Sequence, residues 1–178
     1  QFLRIGGMIS LVISGKCSPM WIPEFDGSTS PKEVSRALDE AGCAVVTGLT
    51  DSELHDAIRR ELAPHMDLAR VIEKDDPSQF YPGHTRRVSA LISRSASITD
   101  HLITHPLSCQ VSADLLAPNS EFGFQLHVTA ALEVGPGARK QVLHREEDSF
   151  TFFPLPRPNL IVASMWAVSE FRADNGAT

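Results

Sequence analysis

Cysteine is scarce in this chain, and what there is does not pair up. Cys17, Cys43 and Cys109 are odd in number, far apart and free of any C-x-x-C spacing, so neither a disulfide framework nor a zinc ribbon is indicated and a reducing cytoplasm is expected. A basic surplus is also missing. The net charge of −6 and a pI near 5.6 argue against a nucleic-acid surface, which needs cations to displace phosphate counterions; Arg86-Arg87 and Arg139-Lys140 are only local pairs. No apolar run is long enough to cross a bilayer. The patch Met8 to Ile13 behind Arg4 resembles a weak signal peptide, but is expected to be part of an unstructured leader over residues 1–29, with Met8 or Met20 as the start. Three catalytic signatures are absent as well: a glycine-rich loop with D-F-G, P-C-x-x-C, and G-x-S-x-G. Kinase, zinc deaminase and serine hydrolase chemistry are thereby disfavoured.

What remains is an ordinary globular composition, 42% hydrophobic and 21% charged over 178 residues, enough for one domain, assigned to residues 30–178. Ser30-Pro31-Lys32-Glu33 carries an N-cap, a first-turn proline and a capping-box glutamate, and Val34, Ala37, Leu38 and Ala41 follow at helical spacing up to Gly42. Cys43 to Thr47 reads as a short strand. Asp51 caps a second helix with Leu54, Ile58 and Leu62 on one face, which Pro64 is expected to kink or end. Residues 73–89 read as a loop. Ser97 to Leu116 is helical again, split at Pro106, with Ile98, Leu102, Val111 and Leu115 inward.

Phe122 to Leu132 then changes period. Six apolar positions alternate strictly, which predicts a long half-buried strand; Gly135-Pro136-Gly137 makes a turn, Arg139 to Arg145 the next strand, and Leu160 to Val168 another. Helices come first and strands last, with no βαβ alternation, which predicts α+β: a helical layer on an antiparallel sandwich or barrel.

The chemistry-bearing stretch is Gln141 to Asp148. On a strand, His144 and Glu146 project from one face, close enough to hold one metal ion, and together they make two thirds of a 2-His-1-carboxylate triad. Taken alone, an H-x-E is more often a structural pair. His101 and His105, four apart on a helix, read as a solvated face, and His127 as a hydrogen-bonded histidine of the sheet. Phe80 and Tyr81 either line a pocket entrance or tuck under the domain. Arg86, Arg87 and His84 are candidates to meet an anionic substrate.

With its neighbours, the stretch resembles the phytanoyl-CoA dioxygenase family of Fe(II)/2-oxoglutarate oxygenases. The resemblance rests on Gln141 to Glu147, Trp166 to Phe171 and Asp174 to Thr178, with Leu38 to Leu62, Thr85 to Val88 and Leu126 to Pro136 in the family's order, covering residues 33–178. It implies a double-stranded β-helix (a cupin-like jelly roll) holding Fe(II) and the co-substrate 2-oxoglutarate, with a small organic substrate oxidised as succinate and CO2 are released. His144 would be the first iron ligand, Glu146 the carboxylate ligand in place of the family's aspartate, and Gln141 a 2-oxoglutarate contact. Glu147 and Asp148 could compete with Glu146. The second iron histidine and the 2-oxoglutarate arginine would follow Thr178, so the domain is expected to be incomplete at its C-terminus and inactive by itself. A non-catalytic jelly-roll binding protein is the alternative.

Overall fold

The computed structural model describes residues 9–13, 22–77, 80–142, 144, 146–154, 156–172 and 174–175. Arg4, Met8, Cys17, Met20, Leu143, Arg145 and the closing Gly176 to Thr178 lie outside the described residues.

The local rules at Ser30 hold in three dimensions. The first helix, α1 (Pro31–Ala41), starts where the Ser30 hydroxyl accepts from the Glu33 N–H and ends at Gly42, whose φ of 80° needs a residue without a Cβ. Its inward face, Val34 and Leu38, is fully buried. It packs on α3 (Pro106–Leu116), to which the Ser35 hydroxyl donates a 2.9 Å hydrogen bond at Asp114. β3 (Cys43–Thr47) packs on α1 as well, and its Ala44 and Val46 point inward as strand alternation requires. These residues, with Leu107, Val111 and Leu115, form one apolar core.

A second core lies under α2 (Ser52–Leu68). Ile58 and Leu62 meet Val88 of β4 (Thr85–Ser89), Leu91, and Ile98 and Leu102 of a π-helical turn over Ile98–Ile103. The Glu61 carboxylate ties that turn to α2 by accepting from the Ser95 and Ser97 hydroxyls and the Ser97 N–H, which hold its carboxyl below the usual range. The helix runs four residues past Pro64. Proline removes one N–H, whose absence strands the Arg60 carbonyl; both positions are exposed, so water can take the donor's place.

Two sheets complete the chain. The four-stranded sheet has the order β2-β3-β1-β6, where β1 is Ile9–Ile13, β2 Glu24–Asp26 and β6 Val162–Trp166. β1 runs antiparallel to both neighbours, with Ile9 opposite Val46 on one side and Trp166 on the other. The leader expectation therefore fails over Ile9–Ile13 and Glu24–Asp26. β2 lies parallel to β3 with α1 between them in sequence, a βαβ unit that was not expected; a three-residue strand carries no periodicity to reveal it. The second sheet pairs β4 with β5 (Ala130–Val134) antiparallel, Arg86 facing Glu133. The loop expected over 73–89 thus ends in a strand.

The long strand expected from Phe122 to Leu132 is confined to its last residues, extended to Val134. Phe122, Leu126 and Val128 are exposed and unpaired by any strand among the described residues. Alternation supplies one apolar face, but a strand also needs a neighbouring backbone and a surface to bury that face against. The chain is mixed helix and strand. The double-stranded β-helix goes further than its four- and two-stranded sheets. No helix among the described residues is long and apolar enough to cross a membrane.

His105 does not lie on a solvated face. Its Nδ1 accepts from the Leu107 N–H at 3.3 Å and caps α3, its ring sits 5.5 Å from the Trp166 ring, and burial pushes its pKa down. His101 is exposed.

Replacing the fully buried Leu38 by alanine removes packing from the first core and should lower unfolding free energy by about 2–5 kcal/mol, read from urea denaturation midpoints. For His105, the depressed pKa means the unfolded state takes up a proton first, so its contribution is intact above the ordinary value of 6.5 and is lost as pH falls below it. His105→Asn keeps a capping acceptor without titrating. Between about pH 7.5 and about pH 5, its denaturation midpoint should fall less than that of the wild type.

Candidate metal centre

The segment that carries the site is not a strand. Residues 139–142 and His144 follow an irregular path, and Glu146–Ser149 wind into a short 3-10 turn. Side chains rather than a backbone ladder hold the approach: Arg139 pairs with Asp75 at 2.8 Å, and the Gln141 amide donates to the Phe80 carbonyl at 2.8 Å. The expected strand from Arg139 to Arg145, and the same-face argument built on it, are corrected. His144 and Glu146 meet for another reason. Glu146 opens the turn, and its Oε1 lies 3.4 Å from His144 Nε2.

The imidazole's other nitrogen decides what this contact is. His144 Nδ1 lies 2.9 Å from the Val142 carbonyl oxygen, which can only accept, so Nδ1 carries the hydrogen and neutral imidazole presents a lone pair at Nε2. A lone pair aimed at a carboxylate repels it unless a positive charge lies between or on them, either a second ring proton or a cation. Ligand bonds of about 2.0–2.2 Å at right-angle to tetrahedral spacing set two donors of one ion about 3.0–3.4 Å apart. The observed separation meets that requirement, and a carbonyl fixing the far nitrogen is the usual partner of a ligating histidine. The two residues fit a pair of iron ligands. Among the described residues no third His, Cys, Asp or Glu joins them.

Glu147 does not compete for that position. Its side chain is turned inward to Arg157 at 3.4 Å, both buried, away from the exposed Glu146. Gln141, read from the sequence as a 2-oxoglutarate contact, is exposed and spends one N–H on Phe80. Being off any strand, it is free of the opposite-face constraint that regular pleating would impose.

Residues 73–77 and 80–84 reach over to this segment. The Phe80 ring packs on the His144 ring with centroids 4.6 Å apart and on Tyr81 edge to face at 4.9 Å. Asp75 accepts from the Gly83 N–H as well as from Arg139, and these bonds hold its carboxyl below the usual range. The Gly135 N–H donates to the His84 carbonyl, and a Cβ at Gly135 would stand 2.7 Å from that oxygen, so only glycine fits. Lys74, Asp75, His84 and Arg139 line a cleft of about 290 Å³ here.

Of the suggested anion-binding residues, Arg86 is engaged with Glu133 at 3.5 Å, Arg87 is exposed on β4, and His84 borders the cleft. His127 is exposed, its ring 6.2 Å from Phe150, and so is not a histidine of the sheet interior. Phe80, read from the sequence as lining a pocket entrance or tucking under the domain, packs on the His144 ring. Arg157 had no functional signal in the sequence: it sits in a proline-rich stretch ten residues from Glu147, where no periodicity relates them.

Comparison with known proteins bears on the same stretch. The chain is 24% identical over 168 residues to "Multifunctional dioxygenase ausE" of Aspergillus calidoustus, covering 92% of this chain and 56% of that protein. It is 29% identical over 154 residues to "Dioxygenase olcK" of Penicillium canescens, covering 82% and 50%, and 24% identical over 155 residues to "Dioxygenase aneA" of Aspergillus aculeatus, covering 84% and 51%. The chain thus spans about half the length of the curated relatives it matches. The family model described as phytanoyl-CoA dioxygenase (PhyH) matches residues 38–178, which include both donors and the segment that presents them, and the chain therefore belongs to the phytanoyl-CoA dioxygenase family.

Proposed function

We propose that the full-length protein is an Fe(II)/2-oxoglutarate-dependent dioxygenase that oxidises a small organic substrate and releases succinate and CO2, built on a double-stranded β-helix and working in the cytoplasm. One observation carries the reading: a histidine whose Nδ1 is committed to a carbonyl aims its Nε2 at a carboxylate 3.4 Å away, at the separation that two ligands of one cation would have. Family membership and three relatives named as dioxygenases support it.

His144 and Glu146 would hold the iron. The bound metal would supply activation of O2 coupled to oxidative decarboxylation of 2-oxoglutarate. The chain's own residues do the rest. The Val142 carbonyl keeps the proton on Nδ1, so the Nε2 lone pair stays available without a proton to displace. The Phe80 ring covers part of the imidazole and limits its rotation. Glu146 reaches back from a turn, and its extra methylene relative to aspartate lengthens that reach. Gln141 has a second amide N–H, besides the one given to Phe80, for a 2-oxoglutarate carboxylate. Substrate would enter at the cleft beside Lys74, Asp75, His84 and Arg139, where Lys74 supplies positive charge and Arg139 is shared with Asp75.

The test is succinate formation by the full-length polypeptide with Fe(II), 2-oxoglutarate and O2. Succinate should depend on Fe(II) and fall to background in His144→Ala and Glu146→Ala. Undiminished succinate in both variants would overturn the assignment. Saturable small-molecule binding with no Fe(II)-dependent succinate in the wild type would favour the non-catalytic jelly-roll binding protein instead.

A further inference from the structure

Glu147 is the residue that the metal reading leaves unexplained. It is a carboxylate with 3% of its surface exposed, next in sequence to a carboxylate with an exposed side chain, and its Oε1 lies 3.4 Å from an Arg157 guanidinium that is also nine-tenths buried. Two opposite charges withdrawn from water give up hydration that their attraction only partly returns, so such a pair adds little net stability compared with apolar side chains of the same size. What it does impose is direction: leaving either charge inside without its partner is costly, so the two side chains must face each other.

That direction is transmitted to Glu146. Residues 146–149 form a 3-10 turn, in which successive side chains diverge by about 120°. With the Glu147 side chain held inward, the Glu146 side chain is thrown outward, and outward is where His144 Nε2 lies at 3.4 Å. The turn is closed behind Glu147, whose carbonyl accepts from the Phe150 N–H at 2.9 Å. Among the described residues of 139–149 no strand ladder helps to set the rotation of this turn.

We propose that the buried Glu147–Arg157 ion pair is a positioning clamp: it orients the turn so that Glu146 faces His144 across the metal position. The inference rests on the reading of His144 and Glu146 as metal ligands. Glu147 and Arg157 touch neither substrate nor metal and act through Glu146.

The experiment measures Mn(II) affinity of the metal-free full-length polypeptide from the electron paramagnetic resonance signal of free Mn(II), beside thermal unfolding by circular dichroism. The double variant Glu147→Leu/Arg157→Met removes both charges and leaves neither orphaned. It should keep a thermal midpoint close to wild type while Mn(II) affinity falls at least about tenfold, the size of effect seen when support for a ligand is lost. Arg157→Lys, which keeps the charge, should retain more of the affinity than the double variant. If the double variant fails to fold, Glu147→Asp, with an arm one methylene shorter, asks the same question, and weaker Mn(II) binding at an unchanged midpoint supports the clamp. A folded double variant, or a folded Glu147→Asp, that binds Mn(II) as the wild type does overturns it. His144→Ala separates the two failures. Wild-type Mn(II) affinity in that variant, or no saturable binding in the full-length parent, refutes the metal site itself, and the clamp with it.

Discussion

The packing of Trp166 against both apolar cores is the contact on which the arrangement of the described chain depends. One core joins α1, β3 and α3, the other α2, β4 and the turn over Ile98–Ile103, and each has only six or seven buried side chains. Neither is large enough to stand as a separate domain. The Trp166 indole lies against both, with Val162 on the first side and Val168 on the second, and its ring also meets the capping His105. Because β6 carries this residue and pairs with β1, and β1 pairs with β3, the four-stranded sheet registers the two cores against each other. The end of the family signature is therefore structural before it is anything else.

From that frame the site segment hangs by side chains. The turn at Gly135 fits under the His84 carbonyl, Arg139 takes Asp75, Gln141 takes the Phe80 carbonyl, and Glu147 takes Arg157. Three of these contacts tie the segment to the stretch from Asp75 to His84 and the fourth ties it to Arg157, and between them they do what a strand ladder does elsewhere. Charge is what organises the segment: the imidazole and the carboxylate that face each other need a positive charge on or between them, and the buried carboxylate needs its guanidinium. Glu146 and Glu147 are neighbours with the same chemistry and opposite surroundings, and the surroundings separate their roles.

Much of the helical half could be read directly. Ser30, Pro31, Glu33, Gly42 and Asp51 act within four residues of their own positions, so their effect is local and visible in the letters. Of the inward sets, Val34, Leu38, Ile58, Leu62, Ile98, Leu102, Val111 and Leu115 are buried and Ala37, Ala41 and Leu54 half-buried, because helical periodicity is a property of the segment itself. Strands were read less well. The alternation from Phe122 to Leu132 was real but bought no pairing beyond Ala130–Val134, while β1 and β2, without a clear pattern, are held by partners distant in sequence.

By itself the sequence singled out His144 and Glu146 as the candidate pair, because side chains able to ligate a metal are recognisable by type and spacing and the family match covers them. It determined the helices too, because their caps and faces are short-range. Only the tertiary structure decided how the two donors meet, through a turn rather than a strand face, and which of two adjacent glutamates is left to face the histidine. The reason is physical. Adjacent carboxylates are equivalent in the unfolded chain, and they become distinct only when one of them is buried against an arginine brought from elsewhere.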